Sequence, residues 1–161
     1  MGYEFRLAKM EEVEEVLSLV AQRSEWMKKS NINQWRYYLK HHPIEEWRLA
    51  ILNHELYVVV CDGMILGCVQ IQYYDTVFWD NTKNIYIKKL CTRLGTKKVG
   101  KYIIEQVTLI AKSEGLSKIR LDCLATNQKL NNIYQSYGFH LVYSGVYDKY
   151  PYPYNLRELI L

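Results

Sequence analysis

Apolar positions in the first third of the chain keep two different periods. Over residues 9–29, Val13, Val16, Leu17 and Val20 recur on one helical face, and glutamates crowd the first turns, where the helix dipole favours carboxylates. The stretch before it, residues 3–8, alternates and predicts a short strand. A second helix is predicted over residues 44–54, with Pro43 just ahead of it. Residues 55–61 and 64–73 are rich in β-branched and aromatic side chains and flank Asp62-Gly63, a two-residue turn signal, so they predict a hairpin. Then come an apolar strand over 85–90, a helix over 99–114, a strand over 118–124, and a short helix opened by Asn127 and closed by Gly138-Phe139. Two last strands are predicted over 140–148 and 155–160.

The connections are unusually aromatic. Residues 30–43 read as a loop carrying Gln34, Trp35, Tyr37, Tyr38, His41 and His42, and residues 75–83 as a loop with Phe78, Trp79 and Asp80. The run Tyr150, Pro151, Tyr152, Pro153, Tyr154 reads as a stiff connection between the last two strands. The order of elements predicts an α/β domain with a mixed sheet. It is antiparallel in its first half, with a parallel crossover from the strand at Ile85 to the strand at Lys118.

Composition narrows the class without naming it. A chain of 161 residues suits one domain, here 1–161, with a substantial core. A net charge of +4 is too modest to argue for nucleic acid, and no apolar run approaches the roughly 18 residues of a membrane span. The first residues lack an apolar signal-peptide core, and Arg6 spoils a myristoylation match, so a cytoplasmic address is expected. Cys61, Cys68, Cys91 and Cys123 all fall in predicted strands among apolar residues, with no C-x-x-C pair and no zinc spacing. They read as reduced core thiols, and no metal site is expected.

The chemistry gathers between Lys83 and Phe139. Lys97, Lys98 and Lys101 sit where the third helix begins. A helix N-terminus carries unpaired N–H groups and partial positive charge, so lysines there are normally unfavourable; an anion bound among them resolves the conflict. Gly95, Gly100 and Lys101 satisfy the G-x-x-x-x-G-K of a nucleotide phosphate loop. Tyr102 stands where a Ser or Thr would hold magnesium, however, and no run of βαβ units precedes the loop. Downstream, Asn127 is followed after six residues by Tyr134 and then, after three, by Gly138-Phe139.

That spacing, the strand from Ile119 leading into Asn127, and the element order across nearly the whole chain resemble the GCN5-related N-acetyltransferases, the GNAT superfamily. The N-terminal half, with Glu25-Trp26, Gln34-Trp35 and Trp79, is similar to bacterial members of unassigned substrate. The resemblance implies a single, mostly antiparallel mixed sheet with a splayed parallel strand pair and helices on both faces. It implies acetyl-CoA as co-substrate and transfer to an amine by direct attack. The turn of Lys97, Lys98, Val99, Gly100 and Lys101 would hold the pyrophosphate. N–H groups of Leu90, Cys91 and Thr92 would pair with the pantetheine arm and polarise the thioester, Asn127 would contact the arm, and Tyr134 would protonate the departing thiolate. The loop departs from the family pattern: Lys98 stands where a glycine is usual, and Gly95 where Arg or Gln is usual.

Bland readings stand beside these. Asn127 is placed to cap a helix, and Tyr134 lies on an apolar face with Leu130, Ile133 and Tyr137. Cys91 could take the acyl group covalently, although no histidine neighbours it in sequence. Glu25, His41, His42, Asp75 and Asp80 are candidates for the base, while Trp35, Tyr38, Trp79 and Tyr152 are candidates to shape an acceptor pocket for a small or peptide amine. A homodimer is compatible with the pattern. The rival functions are a catalytically inactive CoA-binding module and an interaction domain that uses the surface of Tyr150 to Tyr154 without cofactor.

Overall fold

The computed structural model describes residues 2–35, 38–147 and 150–161. Its seven strands form one mixed sheet in the order β1-β2-β3-β4-β5-β7-β6. They are β1 Glu4–Leu7, β2 Leu56–Cys61, β3 Met64–Gln72, β4 Ile85–Thr92, β5 Lys118–Leu124, β6 His140–Tyr147 and β7 Tyr150–Ile160. The helices are α1 Val13–Lys29, α2 Tyr38–His41, α3 Ile44–Leu52, α4 Val99–Ser113 and α5 Gln128–Ser136. The chain divides into two compact units, one of Met1–Ile71 and Lys88–Gln106, the other of Gln72–Ile87 and Val107–Leu161.

In the first unit β1 pairs antiparallel with β2, and β2 with β3. The predicted hairpin turn forms with positive φ at both Asp62 (50°) and Gly63 (75°), the combination that lets a two-residue turn follow the twist of its strands. α1 opens with a short 3-10 turn, Met10–Glu12, and then buries Val13, Val16, Leu19 and Val20. Leu19 takes a place in the core that the periodicity gave to Leu17, which packs at its edge. Trp47 of α3 and Leu56, Val58, Ile65 and Cys68 of the hairpin complete that core. Residues 30–43 are less irregular than predicted, because the four-residue helix α2 forms inside them. Ser24 Oγ donates to the Trp35 carbonyl at 2.7 Å, and the Tyr38 amide donates to the same carbonyl at 2.9 Å. Tyr37 of that stretch lies outside the described residues.

One glycine in this unit is required by proximity. A Cβ on Gly67 of β3 would lie 3.1 Å from the Cys91 carbonyl oxygen, from Val99 Cγ1 and from Ile103 Cδ1. The missing side chain therefore lets β3 approach the end of β4 and the start of α4.

In the second unit β4 and β5 run parallel, with Ile85 opposite Ile119 and Tyr86 opposite Arg120. β5 pairs antiparallel with β7 from Lys118↔Ile160 to Leu124↔Tyr154. The last strand is longer than expected: Tyr150 to Tyr154, read as a connection, is the first part of β7. Two prolines are tolerated there, each for its own reason. Pro153 offers its carbonyl to the Ala125 amide at 2.9 Å, just past the end of β5, so its missing N–H leaves no strand partner unserved. Pro151 falls where the pairing of β7 with β6 shifts register, between Gly145↔Tyr154 and Tyr147↔Tyr150, an irregularity of the kind that accommodates proline. Asp148, with which the preceding strand was predicted to end, lies outside the described residues.

Candidate functional site

In the first unit the predicted cofactor loop leads into α4 at Val99. The Tyr102 amide donates to the Lys98 carbonyl at 3.0 Å and closes the first turn, which makes Lys98 the residue flanking the helix start. Among the described residues the amides of Val99, Gly100 and Lys101 have no partner, as in any first turn. Lys97, Lys98 and Lys101 are exposed around them, Gly100 is half-buried, and Val99 is a buried anchor. Lys98 has φ 65° and Gly95 φ 84°. The left-handed conformation explains why glycine is usual at the position of Lys98: an L side chain is strained there.

Immediately upstream, β4 carries Leu90, Cys91 and Thr92. Arg23 of α1 clamps this end, donating from Nη2 to the Thr92 carbonyl at 2.8 Å and to Thr92 Oγ1 at 3.1 Å. The Arg93 amide continues the pairing with Leu66 at 2.8 Å. Cys91 is 3% exposed, and burial pushes its thiol up to about 12. A thiol held neutral and enclosed is a poor nucleophile, so covalent acyl transfer through Cys91 is set aside, and only its backbone is left with a role. Cys68 and Cys123 are buried likewise, with their thiols pushed up; Cys61, expected in the core with them, is only half-buried at the end of β2.

In the second unit α5 carries the downstream motif. Asn127 caps it, Oδ1 accepting from the Leu130 amide at 3.2 Å. Tyr134 is 6% exposed and packs edge-to-face on Phe139, centroids 5.8 Å apart. The motif is tied down by Asn131, which sequence reasoning passed over. Its Nδ2 donates to the carbonyls of Leu124 and Asn127, and its Oδ1 accepts from Asn155 and Arg157.

Several base candidates are occupied elsewhere. Asp75 accepts from the amides of Val77 and Phe78, holding the loop that follows β3. Asp80 pairs with Arg120 at 3.0 Å, and Arg120 also binds Glu158 at 2.7 Å and the hydroxyl of Tyr86. The Arg120 guanidinium lies over the half-buried Trp79 ring, 4.5 Å from its centroid, so Trp79 packs on this ion-pair cluster. Glu25 is exposed on α1 and approaches Lys29 at 4.0 Å. Trp35 and Tyr38 do come together, stacked at 4.3 Å, and Tyr38 in turn meets the His42 ring at 4.4 Å, tilted by 36°. Tyr152 is exposed on β7.

The stack leads to two charged residues that were not singled out. His42 Nδ1 lies 2.7 Å from Glu46 Oε2, and Glu46 Oε2 lies 3.3 Å from the ammonium of Lys89. Lys89 is inside β4, 8% exposed, with φ 54° and its cation 5.3 Å from the Trp47 ring. Alternation could have found it: Ile85, Ile87, Lys89 and Cys91 share one strand phase, and the other three are apolar.

Among the described residues no His, Cys, Asp and Glu group could hold a metal ion, and no helix is long and apolar enough to cross a membrane. The profile of the Acetyltransferase (GNAT) family matches residues 20–139. An uncharacterised N-acetyltransferase of Bacillus subtilis, YesJ, is 22% identical over 141 residues, 82% of this chain and 78% of its own. A GNAT-family acetyltransferase of Listeria monocytogenes superposes with a TM-score of 0.80 at 20% identity, covering 99% of this chain and 95% of that one. The PaiA N-acetyltransferase of Thermoplasma acidophilum, solved with coenzyme A, gives 0.77 at 16% identity over the whole of both chains. At these identities the structures speak for the fold, while the family match, spanning well over half the chain and carrying the motif of Asn127, Tyr134 and Gly138-Phe139, shows that this chain belongs to the GNAT acetyltransferase family.

Proposed function

We propose that residues 1–161 form one N-acetyltransferase domain, acting in the cytoplasm, that moves an acetyl group from acetyl-CoA to an amine by direct attack. The observation that carries this is the start of α4, where three unpaired first-turn amides and Lys97, Lys98 and Lys101 surround a left-handed turn suited to a pyrophosphate. That the similarly folded PaiA protein was solved with coenzyme A supports the same ligand here. In this reading the N–H groups of Leu90, Cys91 and Thr92 pair with the pantetheine arm and polarise the thioester carbonyl. Asn127 contacts the arm, and Tyr134 gives a proton to the departing thiolate. Bond formation between nitrogen and the acyl carbon and loss of the C–S bond then give an amide and free CoA.

The test is calorimetry of CoA binding to the wild type and to Lys98→Glu/Lys101→Glu, joined to a thiol-release screen with acetyl-CoA across a panel of amines. Binding that the double variant weakens, with turnover on one class of amine, supports the reading. A second reading, a CoA-binding module without turnover, rests on the strained Lys98 in place of the usual glycine. Tight binding with no thiol release across the panel favours it.

A further inference from the structure

The side chains of His42, Glu46 and Lys89 form a chain with Glu46 at its centre. Trp47 Nε1 donates to the His42 carbonyl at 3.0 Å and fixes the backbone at the end of α2. The ring lies tilted against Tyr38, and Nδ1 meets Glu46 at 2.7 Å. A carboxylate can only accept, so Nδ1 carries the proton and the lone pair of a neutral ring lies on Nε2. Nε2 has no partner among the described residues, and the side chain is 34% exposed. On its other side Glu46 meets Lys89, the residue before Leu90, Cys91 and Thr92 in β4.

We propose that His42 Nε2 is the base that takes the proton from the attacking amine, with Glu46 and Lys89 as positioning residues that set the ring's tautomer and basicity. The assignment rests on the acetyl-transfer reading. As the N–C bond forms, the nitrogen's proton passes to Nε2. As the C–S bond breaks, the sulfur leaves with the electron pair and receives a proton from Tyr134 or water. The groups that face the ring are Glu46 from α3, Lys89 from β4, and Tyr38 and the neighbouring His41 from α2. Burial holds the imidazole below its ordinary value near 6.5, Glu46 opposes that, and Lys89 and His41 add to it. The ring is therefore neutral, and a competent base, through neutral pH. Lys89, itself held below the usual lysine range by burial, lies against the carboxylate that orients the ring.

The test is the pH profile of thiol release from acetyl-CoA, read with the most active amine of the panel or with water as acceptor. Acetyl-CoA binding to each variant is measured alongside. In the wild type, kcat/KM rises with pH and levels off above an inflection below 6.5. His42→Gln lowers the plateau about 100-fold, leaves acetyl-CoA binding within a few-fold, and removes the inflection; added imidazole restores part of the rate. Glu46→Gln removes the charge that favours the imidazolium and moves the inflection to lower pH. Lys89→Met removes a repelling charge and moves it to higher pH. A merely structural role for these two residues predicts no such opposed displacement. An unchanged profile in His42→Gln, with the wild type active, overturns the base and leaves the transferase reading intact. A wild type that binds acetyl-CoA but releases no thiol with any amine or with water overturns both. Where Lys89→Met fails to fold, the downward displacement in Glu46→Gln and imidazole rescue of His42→Gln still decide the matter.

Discussion

Arg157 donates from Nε to Oδ1 of Asn131 at 2.9 Å, and both residues are buried. The contact matters because Asn131 uses its whole bonding capacity. Both protons of Nδ2 reach carbonyls, those of Leu124 and Asn127, and Oδ1 serves Asn155 as well as Arg157. The end of β5, the cap of α5 and β7 are therefore fixed to one another through a single amide. A buried network of this kind is costly to break, because the surviving partners keep their desolvation penalty.

Asn131→Leu keeps the approximate volume and removes every one of these bonds. It leaves the Arg157 Nε and the Asn155 amide without that acceptor. The expected loss is about 3 kcal/mol, in the range for removing one partner of a buried charged group. Urea denaturation measures it, and a loss below about 1 kcal/mol would mean that the network is replaced by water or by repacking.

The second expectation separates charge from backbone strain at Lys98. The left-handed conformation costs an L residue about 1–2 kcal/mol, and glycine escapes it. Lys98→Ala removes the ammonium and keeps the strain, whereas Lys98→Gly removes both. The glycine variant is expected to be the more stable of the two by about 1 kcal/mol in thermal denaturation. If the ammonium holds the pyrophosphate, the two lose CoA affinity equally. A glycine variant that binds as tightly as the wild type would assign the affinity to backbone amides instead.

Gly67 offers a third test, through packing alone. A methyl group there meets a backbone carbonyl and two branched side chains, all at 3.1 Å, and the Cys91 carbonyl cannot swing aside as a side-chain terminus can. Gly67→Ala is expected to cost about 1–3 kcal/mol, as overpacking does. It also displaces the end of β4 and the start of α4, so CoA affinity should fall several-fold although Gly67 carries no group that could bind it. Calorimetry showing full affinity in a destabilised protein would separate the packing of this strand from the cofactor loop.

The sequence was most legible where one period dominates. Strand β5 and the start of α4 lie where the apolar pattern put them, and the hairpin turn has the two positive φ values that Asp62-Gly63 implies. Legibility failed where tertiary pairing overrides local preference. Tyr150 to Tyr154 looked like a connection because prolines disfavour strands. Nothing local reveals that Pro153 faces a side where only its carbonyl is needed. The anion turn was readable from the misplaced lysines, but the left-handed backbone at Lys98 was visible only as a missing glycine. Lys89 was obscured by its neighbour. Lys88-Lys89 reads as a polar interruption of an apolar strand; the strand phase marks Lys89 as the inward one of the two, and its pairing with Glu46 across the unit is what the phase does not reveal.

The last expectation concerns Tyr134→Phe. The change keeps the ring and its edge-to-face contact with Phe139, so the packing of α5 should survive. Only the hydroxyl is lost. If it supplies the proton, collapse of the tetrahedral intermediate must expel a bare thiolate or draw a proton from water. General acid catalysis contributes about 10²–10⁴-fold, and a CoA thiol is already a fair leaving group, so the lower end applies: kcat is expected to fall roughly 10–100-fold. Acetyl-CoA affinity should stay within a few-fold, because the turn at Lys98 and the backbone of β4 are its expected anchors. The residue is 6% exposed, which suits a donor that acts on a sulfur shielded from water but also suits a side chain that only packs. Kinetics and calorimetry on one preparation separate the cases. Full activity in a folded variant returns Tyr134 to the core and leaves the proton to water. Lost binding together with lost activity makes it a binding residue. A fall in kcat at constant affinity identifies it as the acid.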